Sequence, residues 1–151
     1  MTIYFYNTTG PYGCFSNFSR HGFELDGVHW ATSEHYFQAQ KFAGTSHVED
    51  IRLASTPKEA ANRGRQRNRP LRPDWEQVKE DVMRTAVRRK FESRADIRTI
   101  LLATGDEELV EAAPGDYYWG SGADGSGQNR LGQILMEVRA ALRAAQLRHL
   151  D

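Results

Sequence analysis

The first apolar stretch, Ile3 to Tyr6, alternates and is rich in β-forming residues, so it reads as a short strand. Asn7 to Gly13 interrupts it with Gly10, Pro11 and Gly13, the composition of a turn-rich loop. Phe23 to Leu25 and Val28 to Trp30 flank Asp26-Gly27, which predicts a hairpin closed by a tight turn. From Thr32 or Ser33 onward the period becomes helical, with either residue able to cap the N-terminus. A short helix is expected from His47 to Ala54, and Thr56-Pro57 opens another, with proline at the first helical position. Pro73 to Ser93 is the longest periodic segment, and Ala95 to Ala103, closed by Gly105, should be one more helix. Glu107 to Ala113 reads as a short strand or turn, and a glycine-dense loop from Trp119 to Gly132 leads into a last helix from about Asn129 to near Leu147. No repeat or linker interrupts the series. The pattern predicts a predominantly helical α+β fold with a small antiparallel sheet, in one compact domain over residues 1–151.

Two helices mix polar residues into places where a plain amphipathic helix has none. In W-A-T-S-E-H-Y-F-Q-A-Q-K-F, Trp30 to Phe42, a rotation of about 100° per residue puts Glu34, Gln38 and Lys41 on one face. An acid, an amide and an amine beside large aromatics suit a polar, ring-bearing ligand. The plainer alternative is that Glu34 only complements the helix dipole and the aromatics are core. In the Pro73 to Ser93 helix, Lys79 falls at about 40° from Trp75 on the wheel, inside the stripe made by Val78, Val82, Met83 and Ala86. A lysine there must snorkel, pair or line a pocket.

Composition narrows the classes. With 151 residues, 39% apolar and 26% charged, the chain should be globular rather than disordered. Its 20 basic and 20 acidic side chains cancel, which argues against tight nonspecific binding to a long polyanion. The basic residues are 16 Arg and 4 Lys, and five of the arginines fall between Arg63 and Arg72 with no acid among them. That run is either a phosphate or nucleic-acid contact or a solvated face neutralised by acids elsewhere. Cys14 is the sole cysteine, so no intramolecular disulfide forms, and inert packing is its simplest role. Without a charged-then-apolar leader, or an apolar run near the roughly 20 residues a bilayer requires, a cytoplasmic protein away from membranes is expected. No obligate protein partner is readable.

The remaining chemistry lies in the glycine-dense loop. Backbone N–H groups at the start of the last helix could cradle a phosphate. It is not a dinucleotide fingerprint, because Arg130 stands where a third glycine is required. Asp116 and Trp119 precede the loop, and Trp119 is either core or a stacking platform for a ring. His21, His29, His35, His47 and His149 show no metal-ligand spacing, so no metal is expected, and His35 is better suited to positioning Glu34 or a substrate.

Four blocks in order together resemble one family. E-H-Y-F-Q-A-Q-K-F, F-S-N-F at Phe15 to Phe18, W-E-Q-V-K at Trp75 to Lys79, and D-Y-Y-W-G followed by G-S-G-Q-N-R-L-G up to Gly132 are similar to the motifs of the NADAR family, the YbiA-like N-glycosidases. The resemblance runs from near Phe5 to near Arg139, nearly the whole chain. It implies a YbiA-like fold and hydrolysis of the N-glycosidic bond of a ribosylated amine, with no redox cofactor or metal. The family's substrates are ribosylaminopyrimidine phosphates of riboflavin synthesis and ADP-ribose attached to guanine in nucleic acid. On this resemblance Glu34 is the general acid/base, Asp116 orients water or ribose hydroxyls, and Lys79 forms a Schiff base with the ring-opened sugar or acts electrostatically. Trp119 would stack on the departing base, Asn17, Gln38 and Asn129 would donate or accept hydrogen bonds, and Arg65, in the family-like A-A-x-x-G-R run, would hold phosphate with the glycine loop. Two alternatives stay open. One is a noncatalytic reader of ADP-ribose or nucleotides, the other a nucleic-acid-binding domain built on the Arg63 to Arg72 run.

Overall fold

The computed structural model describes residues 1–150, and of residues 149 and 150 the backbone only. The His149 side chain therefore lies outside the described residues. The elements are β1 (Thr2–Phe5), a 3-10 turn (Gly13–Phe15), β2 (Phe23–Leu25), β3 (Val28–Trp30), α1 (Ser33–Gln40), α2 (His47–Arg52), α3 (Pro57–Gly64), α4 (Trp75–Ser93), α5 (Ala95–Ala103), β4 (Glu108–Glu111) and α6 (Arg130–Leu150). This is the helix-rich α+β fold that the hydrophobic pattern predicts. The strands form two separate pairs. In the hairpin, β2 and β3 are antiparallel with Phe23 opposite Trp30. Asp26 and Gly27 turn between them at φ 53° and 79°, as a tight primed turn demands. The other pair, β1 with β4, is parallel, Thr2 lying opposite Glu108. Alternation along a chain marks each strand but not its distant partner, so this pairing was not legible in the sequence.

Two compact units emerge, residues 17–93 and residues 1–16 together with the chain from Arg94 onward. In the first, α1 is central and packs on α2, α3 and α4, while α4 also packs on β2. Phe23, Trp30, Tyr36, Phe42 and Ile51 form one apolar cluster. Trp30 and Tyr36 meet edge to face, centroids 5.2 Å apart, the arrangement the ring quadrupoles prefer. Ala39 on α1 and Ala60 on α3 are fully buried, and their small size permits close approach of the helices. Thr56 caps α3 by accepting from the Glu59 N–H at 3.0 Å, with Pro57 at the first helical position as the sequence suggests.

In the second unit, α6 packs on β4 and α5. Leu109 of β4 and Leu131, Ile134 and Leu135 of α6 are fully buried. The entry to α6 is stitched to β4 by Asn129, whose Oδ1 accepts from the Glu111 N–H at 3.0 Å and whose Nδ2 donates to the Leu109 carbonyl at 2.9 Å. The amide thus serves β4 as a peptide group of a neighbouring strand would. Gly132 lies directly over the same strand, where a Cβ would sit 2.1 Å from the Leu109 oxygen. Backbone cannot yield that much without moving the helix. Gly132→Ala should therefore cost about 1–3 kcal/mol, read as a fall in melting temperature of at least about 3 °C. An unchanged melting temperature would show that this contact does not constrain α6.

Candidate active site

The start of α1 is over-determined. Thr32 accepts the His35 N–H at 3.1 Å on its hydroxyl oxygen, and that hydroxyl lies 2.8 Å from His35 Nδ1. His35 Nε2 lies 2.9 Å from the Ala54 carbonyl. A carbonyl can only accept, so Nε2 carries the ring proton and Nδ1 accepts from Thr32. Burial holds the His35 pKa below the ordinary imidazole value, against the opposing pull of the Ala54 carbonyl. His35 is therefore a neutral strut with both ring nitrogens engaged and no solvent exposure. It positions the helix; neither nitrogen is left to reach a substrate.

Asn17 clamps the same turn. Its carbonyl accepts the Glu34 N–H at 3.1 Å, and its Oδ1 accepts from the Ser33 hydroxyl at 2.9 Å. Its Nδ2 points to Met83 Sδ at 3.4 Å. With both side-chain atoms engaged, Asn17 acts on the site through α1, by fixing where Glu34 stands.

What these struts hold in place is the face of Glu34, Gln38 and Lys41. Gln38 Nε2 donates to Glu34 Oε1 at 2.8 Å. Glu34 is 7% exposed and sits in the first turn, where the helix dipole favours a carboxylate. Gln38 Oε1 is buried and finds no protein donor among the described residues. Gly64 makes room for it, since a Cβ there would lie 2.1 Å from Oε1. Lys41 Nζ lies 5.9 Å and 6.0 Å from the ring centroids of Phe37 and Trp75, and 3.4 Å from the Gly64 carbonyl. Burial lowers the Lys41 pKa, Glu34 opposes this, and Arg65 adds to it.

The basic run is mostly neutralised within this unit. Arg63 pairs with Asp50 and Glu59, Arg69 with Asp50, and Arg72 with Asp74. Arg65 and Arg67 are exposed and have no acid partner among the described residues. The solvated-face reading thus accounts for three of the five arginines. Arg65, the C-cap of α3, is the one close enough to Lys41 to shift its charge equilibrium. Lys79 on α4 makes an ion pair with Glu76 at 2.5 Å.

In the other unit, Asp116 Oδ1 accepts from the backbone N–H groups of Tyr118 and Trp119 at 3.0 and 2.8 Å. Half-buried Trp119 meets Tyr118 edge-on, centroids 4.8 Å apart. The glycine-dense loop is not an anion cradle of the expected kind. The N–H groups of Asn129, Arg130 and Leu131 donate to the carbonyls of Gly120, Tyr118 and Trp119 at 2.9 to 3.0 Å. With these donors spent inside the loop, and the Asn129 amide spent on β4, Gly120, Gly122, Gly127 and Gly132 serve close packing.

A NADAR domain model matches residues 4–143, through both units. This chain belongs to the NADAR domain family. It is 55% identical over 146 residues to the N-glycosidase Npun_R5314 of Nostoc punctiforme, covering 95% of this chain and 94% of that protein. To the N-glycosidase YbiA of Escherichia coli (strain K12) it is 54% identical over 140 residues, 93% of this chain and 88% of the other. The solved NMR structure of the E. coli protein YbiA superposes with a TM-score of 0.90 at 52% identity, covering 97% of this chain and 87% of that one. A further relative, the chloroplastic riboflavin biosynthesis protein PYRR of Zea mays, is 41% identical over 155 residues that make up only 25% of its length.

Within this NADAR chain, reading the sequence placed Lys41 on the ligand-suited face beside Glu34 and Gln38 without giving it a role of its own, and it overlooked Trp75. Trp75 could not have been found, since its approach to Lys41 depends on how α4 crosses α1. The neutral His35 supplies a prediction. Its folded pKa is depressed, so its stabilisation is full above the unfolded value of about 6.5 and declines as pH falls below it. His35→Gln should cost about 1–3 kcal/mol by denaturant titration at pH 7.5, and the gap to wild type should narrow at pH 5.5. An equal gap at both pH values would mean that His35 is not neutral in the fold.

Proposed function

We propose that this protein is an N-glycosidase that hydrolyses the bond between the anomeric carbon of a ribose and an amine nitrogen. The observation that carries this reading is the single face of α1 on which a buried carboxylate, Glu34, an amide, Gln38, and a desolvated amine, Lys41, stand together. The names of the relatives point the same way. The substrate is either a ribosylaminopyrimidine phosphate or ADP-ribose attached to guanine, and the riboflavin name of a relative favours the first.

In the reaction, Glu34 donates a proton and the sugar ring opens, leaving C1 double-bonded to the departing nitrogen. A neutral lysine amine adds to C1 and expels the free amine of the base, which leaves a Schiff base. Water, deprotonated by Glu34, then adds to C1 and releases the lysine and the sugar aldehyde, which recloses. The sum is one water consumed and one N-glycosidic bond replaced by a hydroxyl.

Lys41 and Lys79 are the two amines to be weighed. Lys79 pairs with the exposed Glu76, whereas burial favours the neutral form of Lys41, so Lys41 is taken as the nucleophile. Arg65, exposed and without an acid partner among the described residues, suits the phosphate.

The deciding experiment is turnover of both substrates by wild type and Glu34→Gln. The variant should lose about 10²–10⁴-fold in kcat, with release of ribose phosphate or ADP-ribose naming the substrate. A folded wild type that releases neither product overturns the proposal in favour of a noncatalytic reader. Borohydride should trap an adduct in wild type and in Lys79→Arg but not in Lys41→Arg. With Lys41 as nucleophile, kcat/KM should rise with pH through a midpoint below the ordinary lysine value of 10.5. An adduct that survives Lys41→Arg and is lost in Lys79→Arg would transfer the role to Lys79.

A further inference from the structure

We propose that the unit containing β1 carries a second ligand site, a cleft for a neutral planar heteroaromatic ring, with a nucleobase as its occupant. The cleft has a volume of about 300 Å³ and is lined by Tyr4, Tyr6, Asn7, Thr9, Pro11 and Tyr12, among others. That volume lies at the small end of ligand sites, suited to a nucleoside and too small for a folded peptide. None of these side chains is an acid or a strong base, so the occupant is recognised by stacking and hydrogen bonding rather than by charge.

Phe5 is 4% exposed, while Tyr4 on β1 and Tyr6 just past its end are 64% and 52% exposed and line the same cleft. Two exposed phenol rings on one cleft offer stacking faces to a planar ring. The third wall is fixed as well. Tyr12 packs against Phe15 with centroids 5.5 Å apart, and Phe15 is in turn braced edge-on by Phe5. The loop that brings Tyr12 there is tightly folded, since a Cβ on Gly13 would sit 2.1 Å from the Thr8 oxygen. Asn7 and Thr9 offer the donors and acceptors that a base edge requires.

The site is tested with adenosine and a short oligodeoxyadenylate, added to the full chain and followed by the ring resonances of Tyr4, Tyr6 and Tyr12. Those resonances should shift on addition, and Tyr4→Ala/Tyr6→Ala, with an unchanged melting temperature, should weaken binding by about 10-fold or more. The Phe double variant should retain most of the affinity, because it keeps both rings. Comparable affinities for the two probes would assign the cleft to free nucleosides; at least tenfold tighter binding of the oligonucleotide would assign it to a base within a strand. Tyrosine resonances unmoved by millimolar adenosine and by the oligonucleotide, or affinity untouched by the Ala double variant, would overturn the proposal.

Discussion

The hydrogen bonds of one buried imidazole hold the candidate site in place. His35 ties the cap residue Thr32 to the Ala54 carbonyl beyond α2, which sets both the start of α1 and its rotation about its own axis. A helix of eight residues is too short to hold its own direction in water, so its orientation must come from such tertiary ties. Because the rotation is fixed, Glu34, Gln38 and Lys41 share a face in fact and not only on a wheel. Asn17 adds a tie from the preceding loop, and Gly64 from α3 closes against Gln38. Polar residues that look like substrate contacts when read along the chain are here the supports of a smaller polar set on one face of α1.

The same division of labour recurs at α6. Asn129 and the glycines of G-S-G-Q-N-R-L-G look like a phosphate loop, because glycine before a helix is what a phosphate loop requires. The structure uses Asn129 and Gly132 to lay a helix start along β4 with no side chain between, and Gly127 to pass close to Gly120 and Ser121. Both outcomes need glycine for the same reason, close approach of backbone. What differs is whether the partner is a ligand oxygen or a carbonyl of the chain itself, and local composition carries no information about that.

Legibility followed the range of the interaction. The hairpin at Asp26-Gly27, the Thr32 and Thr56 caps and the long α4 were readable because their determinants lie within a few residues of each other. The β1–β4 pairing was not, since its partners are about a hundred positions apart, and neither was the neutralisation of the arginine run. Asp50 accepts both Arg63 and Arg69 from a different helix, a contact that charge counting along the sequence cannot register. The division into two units also goes unannounced, because no change of composition marks Ser16 or Ser93 as a boundary. For the site, the face shared by Glu34, Gln38 and Lys41 was legible and the burial of Lys41 was not, because desolvation is a property of the packed chain.

The orphaned carbonyl oxygen of Gln38 has a consequence for selectivity. An acceptor buried without a protein donor is a standing cost of order 1–3 kcal/mol, relieved only by a guest that brings an O–H or N–H. Discrimination built in this way is lopsided. A compound with a hydroxyl at the right place gains a hydrogen bond, while a deoxy analogue of nearly the same shape leaves the oxygen unsatisfied and is turned away far more strongly than its missing atom would suggest. The α1 face would then read a guest by what it donates rather than by how large it is.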